Sequence, residues 1–192
     1  MPNDPLVDAL RHSPIRIDPT GARRAGVALV IDPSDTVLFI RRAEKRGDPW
    51  SGHVGLPGGH AHPGESFLDA AVRETREEVG LDLSGAATLG SLDDLRTPSS
   101  LPTKVVQPWV FRAPVLGPLV LQHDEVASVH PYPLEALLAG EGRGRFELDY
   151  GGSRWTLPCV DFDGVRLWGL TLRIVDQLLD RLDGRGQGLD RQ

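Results

Sequence analysis

Between Gly58 and Leu81 the chain reads GGHAHPGESFLDAAVRETREEVGL, and few folds can accommodate that stretch. Glu74, Glu77 and Glu78 fall at i, i+3 and i+4, which at about 100° per residue puts three carboxylates on one face of a helix. Like charges so placed repel, so a helix shaped for stability alone would not carry them. They call for a cation, and a hard divalent metal with oxygen ligands is the natural one. On the same helix Leu68, Val72, Thr75 and Val79 recur at i, i+4, i+7 and i+11, about 120° around from the acids. One side of the helix is therefore expected to hold a sheet while another presents carboxylates.

The flanking residues serve that arrangement. The helix is expected from about Glu65 to Val79, with Gly80 where a left-handed cap is wanted. Glu65 follows the Pro63-Gly64 turn and can reach back toward the acids. Arg73 lies four residues before Glu77, close enough to orient a carboxylate. Gly58 and Gly59 leave backbone free to approach a metal or phosphate closely.

Around this centre the chain alternates strand-like and helix-like runs. Ala25 to Ile31 is a buried strand, and Thr36 to Arg41 pairs with it across the Asp32-Pro33-Ser34-Asp35 turn. Glu44 to Gly52 is a polar loop carrying Trp50. Further strands are expected over Ala87–Leu92, Lys104–Arg112, Leu116–Gln122 and Val126–His130. A short helix follows at Pro133–Ala139, then a hairpin of Arg145–Tyr150 with Trp155–Phe162. Leu170, Ile174, Leu178 and Leu182 mark the apolar stripe of a C-terminal helix, Leu167–Leu182. Strands and helices mix without βαβ regularity, which favours an α/β/α sandwich around a mixed central β-sheet. The division expected is an arm over 1–22, with a short helix at Leu6–His12, one domain over 23–184, and a flexible tail over 185–192.

Composition narrows the partners. The formal net charge of −6 argues against nucleic acid, and six of the acids crowd between Gly64 and Asp82 against two arginines. The acidity belongs to a site more than to the whole surface. No apolar run approaches the ~18 residues of a membrane span, and the proline-broken N-terminus is unlike a signal peptide. The single cysteine, Cys159, excludes an internal disulfide and fits a reducing, cytoplasmic setting.

Gly59, five residues, Glu65, seven residues, then Arg73-Glu74-x-x-Glu77-Glu78-x-Gly80-Leu81 resembles the Nudix box. Leaving Leu81 aside, the seven other fixed positions coincide by chance at ~10⁻⁸ per start point. Thr75 stands where the box has a bulky aliphatic. The resemblance implies the Nudix fold and a Mg²⁺-dependent hydrolase, with Mn²⁺ as a substitute, acting on the pyrophosphate of a nucleoside diphosphate derivative. On that reading Glu74 and Glu78 are the primary metal ligands, Glu77 shares metal or water, and Gly58 and Gly59 supply backbone groups. Arg73 orients the carboxylates, and Glu77 and Glu125 are two candidates for the general base.

Leu38-Phe39-Ile40-Arg41-Arg42-Ala43, followed by Gly52-His53-Val54-Gly55-Leu56-Pro57-Gly58-Gly59, is similar to the segment that marks coenzyme A pyrophosphatases. Leu167-Trp168-Gly169-Leu170-Thr171 is similar to the Trp-Gly-x-Thr turn of that group. The match departs in two places: one extra residue between Ala43 and Gly52 leaves Asp48 where an arginine is counted, and Leu56 replaces Phe. Coenzyme A or a relative is therefore the first substrate expected, with ADP-ribose, NADH and dinucleoside polyphosphates as alternatives and a non-catalytic nucleotide sensor behind them. Arg41, Arg42, Arg46 and Lys104 are candidate phosphate partners. Trp50 and Trp109 could stack a base, although Trp109 equally suits the core. His53, His60 and His62 are expected at the surface or behind the metal ligands, because Mg²⁺ prefers oxygen. A second copy of the chain is a further expected partner, with the N-terminal arm as a plausible contributor.

Overall fold

The computed structural model describes residues 4–48, 50–98, 103–113 and 116–184. In order, the elements are α1 (Pro5–Ala9), β1 (Arg23–Ile31), β2 (Thr36–Arg42), β3 (Val54–Gly55), β4 (Gly58–His60), α2 (Phe67–Val79), β5 (Ala87–Ser91) and β6 (Leu95–Arg96). There follow β7 (Lys104–Arg112), β8 (Val126–Pro133), α3 (Leu134–Ala139), β9 (Arg143–Tyr150), β10 (Ser153–Phe162), β11 (Val165–Trp168) and α4 (Gly169–Leu182). The tail expected over 185–192 lies outside the described residues.

From Ala25 onward β1 is apolar at every position because it runs through the middle of a sheet covered on both faces. Ala28 and Val30 join Leu38 and Ile40 of β2 in one layer, closed by Ala71 and Val79 of α2 and by Phe111. The alternate residues Leu29, Ile31, Val37 and Phe39 face the opposite layer, against Leu172, Ile174, Val175, Leu178 and Leu179 of α4. Period-two alternation thus feeds two cores from the same strands, and the result is an α/β/α sandwich.

The central sheet is mixed. β7 runs parallel to β1 along its whole length, from Arg23↔Lys104 to Ile31↔Arg112. The other edge of β1 is shared between β4, at Ala25↔His60 to Val27↔Gly58, and the end of β2, at Ile31↔Val37. β2 continues the sheet into β8 and β3. A separate antiparallel sheet, β11-β10-β9, packs on it through Phe162, whose ring lies 5.6 Å from Phe39 and 4.2 Å from Tyr132.

Three expectations need correcting. Residues 116–122 do not form a strand. Leu116, Leu119 and Leu121 pack on the α2-side core, while Val120 N–H donates to Val79 O at 3.0 Å and Gln122 N–H to Glu78 O at 2.9 Å. The last carbonyls of α2 lack intrahelical donors, and they capture this segment in place of a sheet edge. Second, α2 begins at Phe67, not Glu65, because Ser66 takes the cap and its Oγ accepts from Asp69 N–H at 3.0 Å. Third, the buried side of α2 is Ala70, Ala71, Thr75, Glu78 and Val79, with Leu68 and Val72 only partly covered. A Cβ at Gly26 would collide with the Phe67 carbonyl oxygen, so the helix lies backbone-close on β1 and turns its small residues inward.

The arm packs on the domain. Leu6, Ala9 and Leu10 are buried, Arg112 Nη2 meets Asp4 Oδ2 at 3.1 Å, and Arg16 Nη1 meets Asp94 Oδ1 at 2.8 Å. Among the described residues no helix is long and apolar enough to cross a membrane.

Candidate active site

The three box carboxylates share a helix but not an environment. Glu78 lies next along the inward line Ala71-Thr75 and is 2% exposed, whereas Glu77 has 57% of its side chain in solvent. Thr75, where a bulky aliphatic was expected, settles its hydroxyl by donating to Ala71 O at 2.7 Å. Burial pushes the Glu78 carboxyl up to about 8, with the nearby charge of Glu74 adding to it; the Gly58 N–H, donating to Glu78 Oε2 at 2.9 Å, pulls the other way. Glu74 is raised as well, again mainly by burial.

The third member of the cluster comes from outside the box. Glu125, on the loop before β8, brings a carboxylate oxygen to Glu74 and Glu78 such that all three ligand atoms lie within 4.8 Å of one another. Glu77 is not in that group. It faces outward, held by Arg73 Nη1 at 2.9 Å.

Arg73 ties the acids together. Its Nε and Nη2 donate to Glu65 at 2.9 and 3.1 Å, Nη1 donates to Glu74 Oε1 at 2.9 Å, and Nη2 also reaches His60 O at 2.9 Å. The paired guanidinium hydrogen bonds hold the Glu65 carboxyl down to about 2. Gly59 fits the same frame, since a Cβ there would collide with the Glu74 carboxylate. The αL cap at Gly80, with φ 70°, ends the helix as expected.

Beside the acids lies a cluster of cations. Arg42 Nη2 donates to Asp48 Oδ2 at 2.8 Å, and its Nε is buried with no hydrogen-bond partner among the described residues. Lys104 Nζ sits 3.9 Å from the Trp50 ring centroid, and the Trp50 N–H donates to Asp48 Oδ1 at 3.0 Å. Burial draws the Lys104 ammonium below its ordinary range, Arg42 and Arg23 contribute, and Asp48 opposes them. His60 is lowered by burial and by the same three cations.

The structure thus brings Arg42, Trp50 and Lys104 together and leaves Arg41 out, its guanidinium being turned to Gly52 O at 3.4 Å and Glu44 at 3.6 Å. Arg46 is exposed. Trp109 packs with the α2-side core and donates to Gln107 Oε1 at 3.1 Å, so the core reading holds for it. His53 lies against Trp168 with ring centroids 4.8 Å apart.

Sequence reasoning missed Arg23 and the role of Asp48. Arg23 reaches the cluster only through the parallel register that sets it beside Lys104, a long-range pairing with no local signal. Asp48, six residues past the end of β2 in a polar loop, looked like a misplaced arginine; it is the counter-ion of Arg42.

The family model for the NUDIX domain matches residues 21–149. A Yersinia pestis protein named as Nudix hydrolase NudL is 30% identical over 163 residues, covering 83% of this chain and 80% of that protein. Nudix hydrolase 3 of Caenorhabditis elegans is 27% identical over 171 residues, 81% of this chain and 70% of its own length. A Schizosaccharomyces pombe protein is 40% identical over 119 residues, and the match spans 36% of that relative's length. Among solved structures, the MutT protein of Methanosarcina mazei superposes with a TM-score of 0.55 at 18% identity, over 92% of this chain and 99% of that one. The NUDIX domain of Shewanella oneidensis NrtR, solved with ADP ribose, gives 0.56 at 18% identity, over 86% and 94%. At such identities these two structures speak for the fold alone.

Proposed function

This chain belongs to the Nudix hydrolase family, and from that premise we propose that it cleaves the pyrophosphate of coenzyme A or a closely related nucleotide derivative. The observation that carries the reading is the meeting of Glu74, Glu78 and Glu125 within 4.8 Å, beside a cation cluster with a free buried donor. Three hard oxygen donors, two of them raised by burial, suit a divalent cation. Bound there, Mg²⁺ or Mn²⁺ would neutralise phosphate oxygens and make a coordinated water a better nucleophile.

The remaining work falls to the chain's own residues. Gly58 N–H fixes the rotamer of Glu78, and Arg73 fixes Glu74. Glu125 and Glu77, the latter held by Arg73, are the two candidates to accept a proton from an attacking water. Arg42 and Lys104 receive a phosphate, and Trp50 offers a ring face to the base. Two further placements favour the coenzyme A group. The halves of the resemblance meet in space, His53 against Trp168 and Gly55 beside Thr171. The phosphomonoester of coenzyme A would also use a cation cluster that a plain diphosphate leaves idle.

The test is a screen of coenzyme A, ADP-ribose, NADH and diadenosine polyphosphates with Mg²⁺ or Mn²⁺, reading product masses. Coenzyme A should give a 3′,5′-ADP half and a phosphopantetheine half at the highest kcat/KM. Preference for ADP-ribose would replace the substrate assignment, and binding of all four without turnover would leave a sensor.

A further inference from the structure

β9 is the outer strand of the three-stranded sheet, and among the described residues it is hydrogen-bonded to β10 alone. The outer edge of this eight-residue strand is therefore open beyond Arg143, whose N–H donates to Gly140 O at 3.2 Å, and proteins ordinarily blunt or cover such an edge. The ribbon formed with β10 is also two-faced. Phe146, Leu148 and Tyr150 lie opposite Leu157, Trp155 and Ser153, so one face is largely apolar, with Trp155 54% and Tyr150 50% exposed. The other face of β9 carries Arg143, Arg145, Glu147 and Asp149 in that order.

That order is antisymmetric about Phe146, with two cations before it and two anions after. A second β9 running antiparallel, with Phe146 opposite Phe146, sets Arg145 against Glu147 of the copy and Arg143, whose Nη2 already meets Asp176 Oδ1 at 2.5 Å in its own chain, against Asp149, each twice. Leu148 then stands over Gly144 of the copy, a large residue against an empty one. Shifting the register by two residues in either direction opposes Arg145 to Arg145 or Glu147 to Glu147. A shift by four opposes Arg143 to Arg145 or Glu147 to Asp149. Like charges directly opposite destabilise a strand pair, so a single register survives. Arg145 is available for this role: its guanidinium donates to Thr156 O at 3.2 Å and to no carboxylate among the described residues. Arg154 already serves Glu147 and Asp149 together, at 3.4 and 3.1 Å, leaving both acids room for a second cation.

We propose that β9 is the interface of a two-fold dimer, in which two copies join edge to edge into a continuous six-stranded antiparallel sheet. The interface is isologous, as a two-fold axis through Phe146 requires. It is independent of the hydrolase reading. The N-terminal arm, already packed on its own domain, plays no part in it.

Sedimentation of the full chain at about 100 µM should show a dimer. Arg145→Glu or Glu147→Arg alone should raise its dissociation constant about tenfold or more, and the double exchange should restore it, because the pair is merely reversed across the axis. For the register, Phe146→Cys should cross-link to its copy on oxidation, since facing strand residues have Cα atoms within disulfide range. Leu148→Cys should not. A monomeric wild-type chain, single exchanges without effect, or a double exchange that stays dissociated would each overturn the interface. Should the charge variants fail to fold, the cross-linking pair decides alone: equal cross-linking at both positions, or none, overturns it.

Discussion

Folding buries the Glu78 carboxyl where its charged form is disfavoured. The group titrates near 8 in the folded chain against an ordinary 4.5, so between those values the folded state holds a proton that the unfolded state has released. Stability from this group is therefore greatest at low pH and falls as pH rises from about 4.5 to 8. In chelator, the wild-type Tm should drop relative to that of Glu78→Gln between about pH 5 and pH 8.5. Adding Mg²⁺ should flatten the wild-type curve and leave the variant unmoved. The same substitution should lower kcat by roughly 10³-fold or more at saturating metal, with the fold intact by circular dichroism. Near-normal turnover would remove Glu78 from the metal site. The box spacing put Glu74, Glu77 and Glu78 on one helix, yet it could not show that Glu78 alone of the three is buried. That depends on how closely the helix lies on the sheet, which is decided by Gly26, a residue far from the box in sequence.

At the scale of elements, two glycines separate stability from catalysis. A Cβ at Gly26 meets a backbone carbonyl that cannot yield, so Gly26→Ala should lower Tm by about 5 °C or more. A Cβ at Gly59 meets the movable end of Glu74, so Gly59→Ala should cost little in Tm and much in kcat. Thermal melts beside steady-state rates would tell them apart; equal loss of Tm in both would contradict the distinction. The long elements were legible because their apolar periods are long: β1, β2, β7, the β9–β10 hairpin, α2 and α4 all fall close to where alternation or helical spacing put them. β3, β4, β6 and β11 were missed, since strands of two to four residues are made by the neighbour that offers an edge and carry little pattern of their own. Residues 116–122 show the converse, a strand-like composition without a strand partner.

For the whole molecule, the N-terminal arm is part of the core. Leu6 and Leu10 lie in the α4-side cluster, and Asp4 anchors Arg112 from the start of the chain. Removing the first seventeen residues should cost about 3 kcal/mol or more in urea unfolding, at ~1.5–3 kcal/mol for each buried leucine. An unchanged midpoint would mean that the arm only rests on the surface. The architecture could be read from the mixture of strands and helices, but the parallel β1–β7 pairing could not. That pairing is what draws Arg23 and Lys104 into one place. Glu125 presents a different kind of dependence. The loop that carries it is hung from the last carbonyls of α2, through Val120 on Val79 and Gln122 on Glu78. Glu125 is thus located by the helix end that also carries Glu78, and the length of chain between them has no say in the matter. Residues inserted upstream of Leu119 should therefore bulge outward as slack and leave the three acids in step. A connection anchored in this way can change its length while the spacing of the three carboxylates is kept.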